Sequence, residues 1–209
     1  MGKLLLLFLL LGAGAALASM VSSRSGEAPA QRASAASTAA AVFAGGCFWC
    51  TESDFDHIPG VISTTSGYSG GRTANPTYRQ VSAGGTGHIE AVRVVYDPAR
   101  VSYATLVERF FRTIDPLDGG GQFCDRGDQY RSAIFVADAA QRRVAQAASA
   151  RASRQLGRPV ATAILPAARF YPAEEYHQDY YRKNPLRYRF YRWNCGREAR
   201  LREVWSRAR

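Results

Sequence analysis

The sequence predicts an α+β protein: a ferredoxin-like mixed α/β sandwich with helices packed on a central sheet. Three observations lead there. From residue 41 onward, short apolar runs alternate with longer amphipathic runs, which is the pattern of strands and helices sharing one core. The strands are short and few, and the order fits β-α-β-β-α-β. Two glycine-rich stretches, 69–87 and 115–130, separate the regular segments without the composition of an interdomain linker, so one domain is expected.

The elements follow in order. Residues 41–44 are apolar and stop at Gly45-Gly46, which reads as a buried strand. Residues 47–57 carry aromatics and acids at helical spacing, and Pro59-Gly60 ends them. Residues 61–68 and 88–96 read as strands on either side of the first glycine-rich loop. Ser102 caps a helix running to Thr113, with Leu106, Val107, Phe110 and Phe111 facing inward. Residues 132–137 form a strand. An Ala-rich helix over 139–156 ends at Gly157, and 160–165 is a further strand. Residues 173–183 read as a helix that Pro185 stops. The Arg- and aromatic-rich tail to 209 is expected to be flexible, with some helix near its end.

The first 40 residues stand apart. Lys3 precedes an apolar run over 4–17, and Ala16-Leu17-Ala18 matches a small-x-small cleavage pattern. Residues 1–18 therefore read as a signal peptide. The run is shorter than the roughly 20 residues a membrane span needs, so cleavage is favoured over a membrane anchor. Residues 19–40, rich in Ala, Ser, Gln and Thr, read as a disordered tether. The folded domain is expected at 41–209, exported to the periplasm or secreted, where its thiols meet oxidising conditions.

Lys and Arg number 27 against 17 Asp and Glu, a net charge of +10, yet Lys occurs only at positions 3 and 183. The excess reads as a solvated Arg-rich surface. No basic run is interleaved with aromatics in a nucleic-acid motif, so neither DNA nor RNA is expected as a partner, and a monomer is expected. Four cysteines, at 47, 50, 124 and 195, give one close pair. Structural zinc sites usually offer two such pairs, so no metal is expected.

Cys47 carries the chemistry. It follows two glycines and opens a helix, where backbone N–H groups and the dipole favour the thiolate. Three reactions fit this placement: a thioredoxin-like dithiol through Cys50, a cysteine hydrolase using His88 or His177, and a thiol reductase with Phe48 and Trp49 as an apolar wall.

Further stretches accompany G-G-C-F-W-C (45–50): G-Y-S-G-G (67–71), N-P-T-Y (75–78), G-H-I-E (87–90), the aspartate of F-C-D-R-G-D-Q-Y-R-S (123–132), Y-P-A-E-E-Y-H-Q-D-Y (171–180) and K-N-P (183–185). In this order they resemble the peptide methionine sulfoxide reductase A family over residues 42–195. The resemblance implies reduction of methionine (S)-S-oxide, free or in proteins, and a role in protein repair under oxidative stress. It makes Cys47 the nucleophile and Glu90 the acid that protonates the sulfoxide oxygen. Tyr78 and Tyr130 become hydroxyl donors to that oxygen, Asp125 organises the polar side, and Phe48 and Trp49 take the substrate methyl. It leaves Cys47 as a sulfenic acid, which a second thiol converts to a disulfide. Cys195 is favoured for that step, Cys50 is the alternative, and Cys124 lies close by in sequence to Asp125. No bound cofactor is implied. Thioredoxin or a similar dithiol is the reductant, and oxidised proteins or peptides are the substrates.

Overall fold

The structure is a computed structural model that describes residues 37–206. The expected leader and residues 19–36 of the expected tether lie outside the described residues. Strand β1 (Ala39–Gly45) begins two residues before its expected start. It is followed by α1 (Phe48–Asp56), β2 (Val61–Ser69), α2 (Tyr78–Ser82), β3 (Ile89–Tyr96) and α3 (Tyr103–Arg112). A small hairpin, β4 (Gly121–Gln122) and β5 (Asp125–Arg126), leads into a 3-10 turn at Asp128–Tyr130 and then β6 (Ser132–Val136). After α4 (Ala139–Leu156) come β7 (Ala163–Pro166), β8 (Tyr171–Pro172), a 3-10 turn at Glu175–His177, α5 (Tyr180–Lys183), α6 (Pro185–Asn194) and α7 (Arg197–Ser206).

Six strands form one mixed sheet in the order β7-β6-β1-β3-β2-β8. Every pairing is antiparallel except β6–β7, which is parallel. Alternation along the strands divides the core. Phe43, Val92, Val94, Ile134 and Val136 face a cluster that includes Phe48 and Phe55 of α1, Leu106 and Phe110 of α3 and Ala145 of α4. Ala44, Ala91, Ala133 and Phe135 face a smaller cluster with Leu165 and Phe170. The helices α1, α3 and α4 thus share one face of the sheet. Phe43 is fully buried between the rings of Phe55 and Phe110, so Phe43→Ala should cost about 3–5 kcal/mol.

The expected caps are present. Ser102 Oγ accepts the Thr105 N–H at 3.1 Å, and Gly157 closes α4 in the left-handed region at φ 65°; Asp138, not expected from sequence, caps the start of α4 through Gln141 N–H.

Several expectations need correction. Residues 173–183 do not form one helix. Gln178 bridges both backbone groups of Ser66 and the carbonyl of Ala173, which ties the segment after β8, with its 3-10 turn at Glu175–His177, against β2. Asp179 then turns left-handed at φ 52° and leaves only the single-turn α5. Tertiary contacts here override helix propensity. Pro185 does not stop a helix; it occupies the first turn of α6, where its missing N–H is harmless. The tail, read as flexible and partly helical, is helical over α6 and α7. The loop over 69–87 contains α2, announced by a capping box at Thr77 and Gln80. The strand expected from 160 begins at Ala163.

Candidate functional site

The turn from β1 into α1 requires both glycines. A Cβ on Gly45 would lie 2.7 Å from Thr51 Oγ1, and one on Gly46, at φ +84°, would lie 2.5 Å from Gln122 Cβ. The turn delivers Cys47 to the N-cap of α1, where its carbonyl accepts Cys50 N–H at 3.1 Å and Thr51 N–H at 3.2 Å. The first free helical N–H, that of Phe48, donates to Glu90 Oε2 at 3.0 Å.

Register brings Glu90 there. It pairs with Tyr68 across β2 and β3, and its side chain reaches the N-terminus of α1. Around Cys47 and Glu90 lies a pocket of about 70 Å³, lined also by Phe48, Trp49, Tyr78, Asp125, Tyr130 and Tyr191. All seven catalytic and substrate-binding residues expected from sequence therefore meet in one place. Tyr78 opens α2, Asp125 sits on β5, and Tyr130 ends the 3-10 turn that follows.

Electrostatics give these groups distinct states. Glu90 is 2% exposed, and burial pushes its carboxyl up to about 8, against the opposing Phe48 N–H bond. At neutral pH it carries a proton to donate. Burial, more than the neighbouring carboxylates, raises the Tyr78 and Tyr130 hydroxyls, which remain donors. Asp125 is raised by burial but accepts the Tyr191 hydroxyl at 2.5 Å.

The state of Cys47 differs from the sequence expectation. Burial, then the hydrogen-bonded Cys50, then the Glu90 and Asp125 charges push its thiol well up. The helix start does not overcome this, because the Phe48 N–H is directed to Glu90 rather than to the sulfur. Cys47 rests as a thiol that shares a hydrogen bond with Cys50.

The aromatic wall is braced from behind. Trp49 stacks on Tyr180 with centroids 3.7 Å apart and planes 7° apart, and its Nε1 donates to His177 Nδ1 at 3.0 Å. The His177 ring packs against Phe48 and Tyr78, and burial lowers its pKa, keeping it neutral. His88 receives Gly71 N–H on Nδ1 and faces the Thr73 carbonyl with Nε2, so it braces the loop beside Glu90. None of the three histidines lines the pocket.

Cys50 and Cys47 are both buried free thiols. Cys195, favoured from sequence as the resolving thiol, is bonded to Cys124, 71 residues away. Neither of these two lines the pocket.

Sequence reasoning missed two residues. Tyr191 lies on α6, which was read as tail, and nothing in Y-R-F-Y-R-W-N distinguishes it from its neighbours. Glu174 was quoted within a motif but given no role. Its carboxylate accepts Tyr68 Oη at 2.9 Å and Tyr78 N–H at 2.8 Å, which ties the start of α2 to the sheet. An acid two residues after Pro172, beside a strand end, was the available signal.

A buried acid, a neighbouring thiol, three hydroxyls and an apolar wall suit attack on a soft centre whose departing oxygen needs a proton. Comparison with known proteins bears on which centre that is. The model of the family described as peptide methionine sulfoxide reductase matches residues 39–209. The chain is 54% identical over 166 residues to peptide methionine sulfoxide reductase MsrA 2 of Rhizobium meliloti, covering 79% of this chain and 83% of that one. Methionine sulfoxide reductase A of Corynebacterium diphtheriae superposes with a TM-score of 0.65 at 37% identity, over 74% of this chain and 78% of that one. Mxr1 of Saccharomyces cerevisiae, solved in complex with Trx2, has the same fold at 24% identity and a TM-score of 0.50, over 70% and 87% of the two chains.

Proposed function

The chain belongs to the peptide methionine sulfoxide reductase family, and from that premise we propose that Cys47 reduces methionine (S)-S-oxide while Glu90 protonates its oxygen. The observation that carries this reading is the contact from Phe48 N–H to Glu90 Oε2. It holds the carboxyl beside the nucleophile, and burial, against that bond, raises its pKa to about 8.

The first step transfers oxygen. Cys47 sulfur attacks the sulfoxide sulfur as Glu90 gives a proton to the oxygen and the thiol proton restores the carboxyl; the hydroxyl then leaves the substrate sulfur for the Cys47 sulfur as the transient S–S bond breaks. The products are methionine and Cys47 sulfenic acid. Tyr78 and Tyr130 donate to the oxygen as charge develops there, and Phe48 and Trp49 receive the methyl group. An apolar slot on one side and donors on the other would favour one epimer.

Cys50 closes the cycle in this proposal. Its thiol already hydrogen-bonds to Cys47, whereas Cys195 is joined to Cys124. Attack of Cys50 on the sulfenic sulfur forms the Cys47–Cys50 disulfide. The leaving hydroxide departs as water with a proton from Glu90, which the Cys50 thiol proton replaces. A dithiol of the thioredoxin type then reduces the disulfide; the Mxr1–Trx2 pairing in yeast supports this class of donor. The core connection β1-α1-β2-β3-α3-β6, with these four strands in the order β6-β1-β3-β2, supports reading the domain as ferredoxin-like. Export rests on the sequence of residues 1–18, and a mass spectrum of the mature N-terminus tests it.

The test is reduction of a methionine sulfoxide peptide by dithiothreitol. Wild type should turn over the S epimer, Cys47→Ser should be inactive, and full activity in Cys47→Ser would end the proposal. The hydrolase alternative requires a histidine at Cys47. His88 and His177 are engaged with Gly71, Thr73 and Trp49, so substitution of either should not abolish a nucleophilic step through imidazole.

A further inference from the structure

Glu52 stands in the middle of α1 with 1% of its surface exposed, and the chemistry proposed above does not use it. Burying a carboxyl is unfavourable unless a donor meets it. Its Oε2 accepts the backbone N–H of Asp179 at 3.0 Å, 127 residues away in sequence. Asp179 turns left-handed there, at φ 52° and ψ 32°, a conformation that disfavours residues carrying a Cβ. An apolar side chain would fill the same space without the burial cost, but it could not hold this turn.

The turn delivers Tyr180. As the first residue of α5, Tyr180 lays its ring on the indole of Trp49, with centroids 3.7 Å and planes 7° apart. Trp49 lines the pocket and Tyr180 does not, so Tyr180 backs the indole from outside. Trp49, Glu52 and Asp56 are three and four residues apart on α1, along one side of the helix. Asp56 accepts the Tyr181 hydroxyl at 2.8 Å and pairs with the Arg182 guanidinium at 3.1 Å, which grips α5 after Tyr180. Glu52 grips the backbone before it. Trp49 also donates to His177 through Nε1 and meets Tyr191 edge-on at 5.8 Å. The Nε1 bond fixes one end of the indole, whereas a flat stack fixes the tilt of its plane.

We propose that Glu52 sets the substrate specificity of the pocket: through Asp179 and Tyr180 it holds the plane of Trp49, and so confines the slot beside Cys47 to a methyl group. This rests on the reading that Phe48 and Trp49 receive the methyl of the sulfoxide. In a pocket of about 70 Å³, the tilt of one ring decides whether a further methylene fits. Glu52 is a positioning residue in this scheme, since it touches neither substrate nor sulfur.

The test compares kcat/KM of the full-length protein for two peptides, one carrying methionine sulfoxide and the other ethionine sulfoxide, with dithiothreitol as reductant. Glu52→Leu fills the buried space without an acceptor, Glu52→Gln keeps an acceptor, and Tyr180→Ala removes the backing ring. Wild type should prefer the methyl sulfoxide by about 10–200-fold, the range for one methylene in an apolar pocket. Glu52→Leu and Tyr180→Ala should lower that preference by about tenfold, and Glu52→Gln should retain it. An unchanged preference in Glu52→Leu would overturn the proposal, even if both rates fall together, and so would Glu52→Gln behaving as Glu52→Leu. Should Glu52→Leu not fold, Tyr180→Ala decides by the same criterion. A wild type that takes both sulfoxides equally would instead overturn the methyl slot, and one that reduces neither would overturn the reductase reading itself.

Discussion

The peptide N–H of Phe48 donates to the Glu90 carboxylate across 3.0 Å, so the backbone that carries the nucleophile also fixes the acid. The two cannot be displaced independently: Cys47 is the N-cap of α1, and Phe48 is the first residue of that helix. Tyr68, opposite Glu90 in the register, is itself tied to Glu174. The acid thus sits between a helix N-terminus and a braced strand.

Glu90→Gln should keep the shape of the pocket and lose its proton. General acid catalysis contributes about 10²–10⁴-fold, so single-turnover methionine release should fall within that range. In wild type the rate should decline as pH rises through about 8, where the carboxyl ionises. In Glu90→Gln that limb should disappear. Stopped-flow rates across pH test this, and a limb that persists in the variant would assign it to another group.

The same carboxyl affects stability. In the unfolded chain it titrates near 4.5, and in the folded chain at about 8. Between these values the folded state holds a proton that the unfolded state has released, so stability falls as pH rises through the window. Glu52, 1% exposed, is raised by burial to about 7 and acts in the same direction. Glu90→Gln removes one of the two contributions. Its Tm relative to wild type should rise from pH about 5 to pH about 9 in thermal denaturation; a constant difference would show that Glu90 is not the group responsible.

Much of this arrangement was legible in the sequence, and the losses have physical causes. The pocket residues were readable because they lie in short stretches whose order is specific. The caps at Ser102 and Gly157 were readable because they depend on local backbone chemistry. The protonation of Cys47 was not, because it depends on where the Phe48 N–H is directed and on carboxylates 43 and 78 residues away in sequence, at Glu90 and Asp125. The broken helix over 173–183 was hidden for a similar reason: Gln178 bonds to Ser66, 112 residues distant. The Cys124–Cys195 bond could not be read from spacing, which left the pairing open.

Glu174 offers a test of the pocket's support. Its carboxylate accepts both Tyr68 Oη and Tyr78 N–H. Burial pushes it up, but these bonds outweigh burial and hold it below the usual glutamate range. Glu174→Ala strands the hydroxyl of fully buried Tyr68, at about 1–3 kcal/mol. Because α2 starts at Tyr78, the oxygen-facing hydroxyl should also lose its position. Lower kcat, with KM raised for the sulfoxide peptide, is the expected result. Reduced stability with unchanged kinetics would make Glu174 a structural tie alone.

Closing a loop between residues 71 apart is worth about 4 kcal/mol in the chain-entropy account of disulfides. Cys124→Ser,Cys195→Ser should therefore unfold at distinctly lower urea than the oxidised wild type. It should still release methionine and form the Cys47–Cys50 disulfide in one turnover, because neither replaced sulfur lines the pocket. The bond also joins the hairpin bearing Asp125 to the end of α6, which carries Tyr191, and these two side chains are hydrogen-bonded. A modest loss of rate should accompany its removal as that pair loosens. If the double variant instead stops at the sulfenic acid, trapped by dimedone, then Cys195 resolves Cys47 and its bond to Cys124 must open in the cycle.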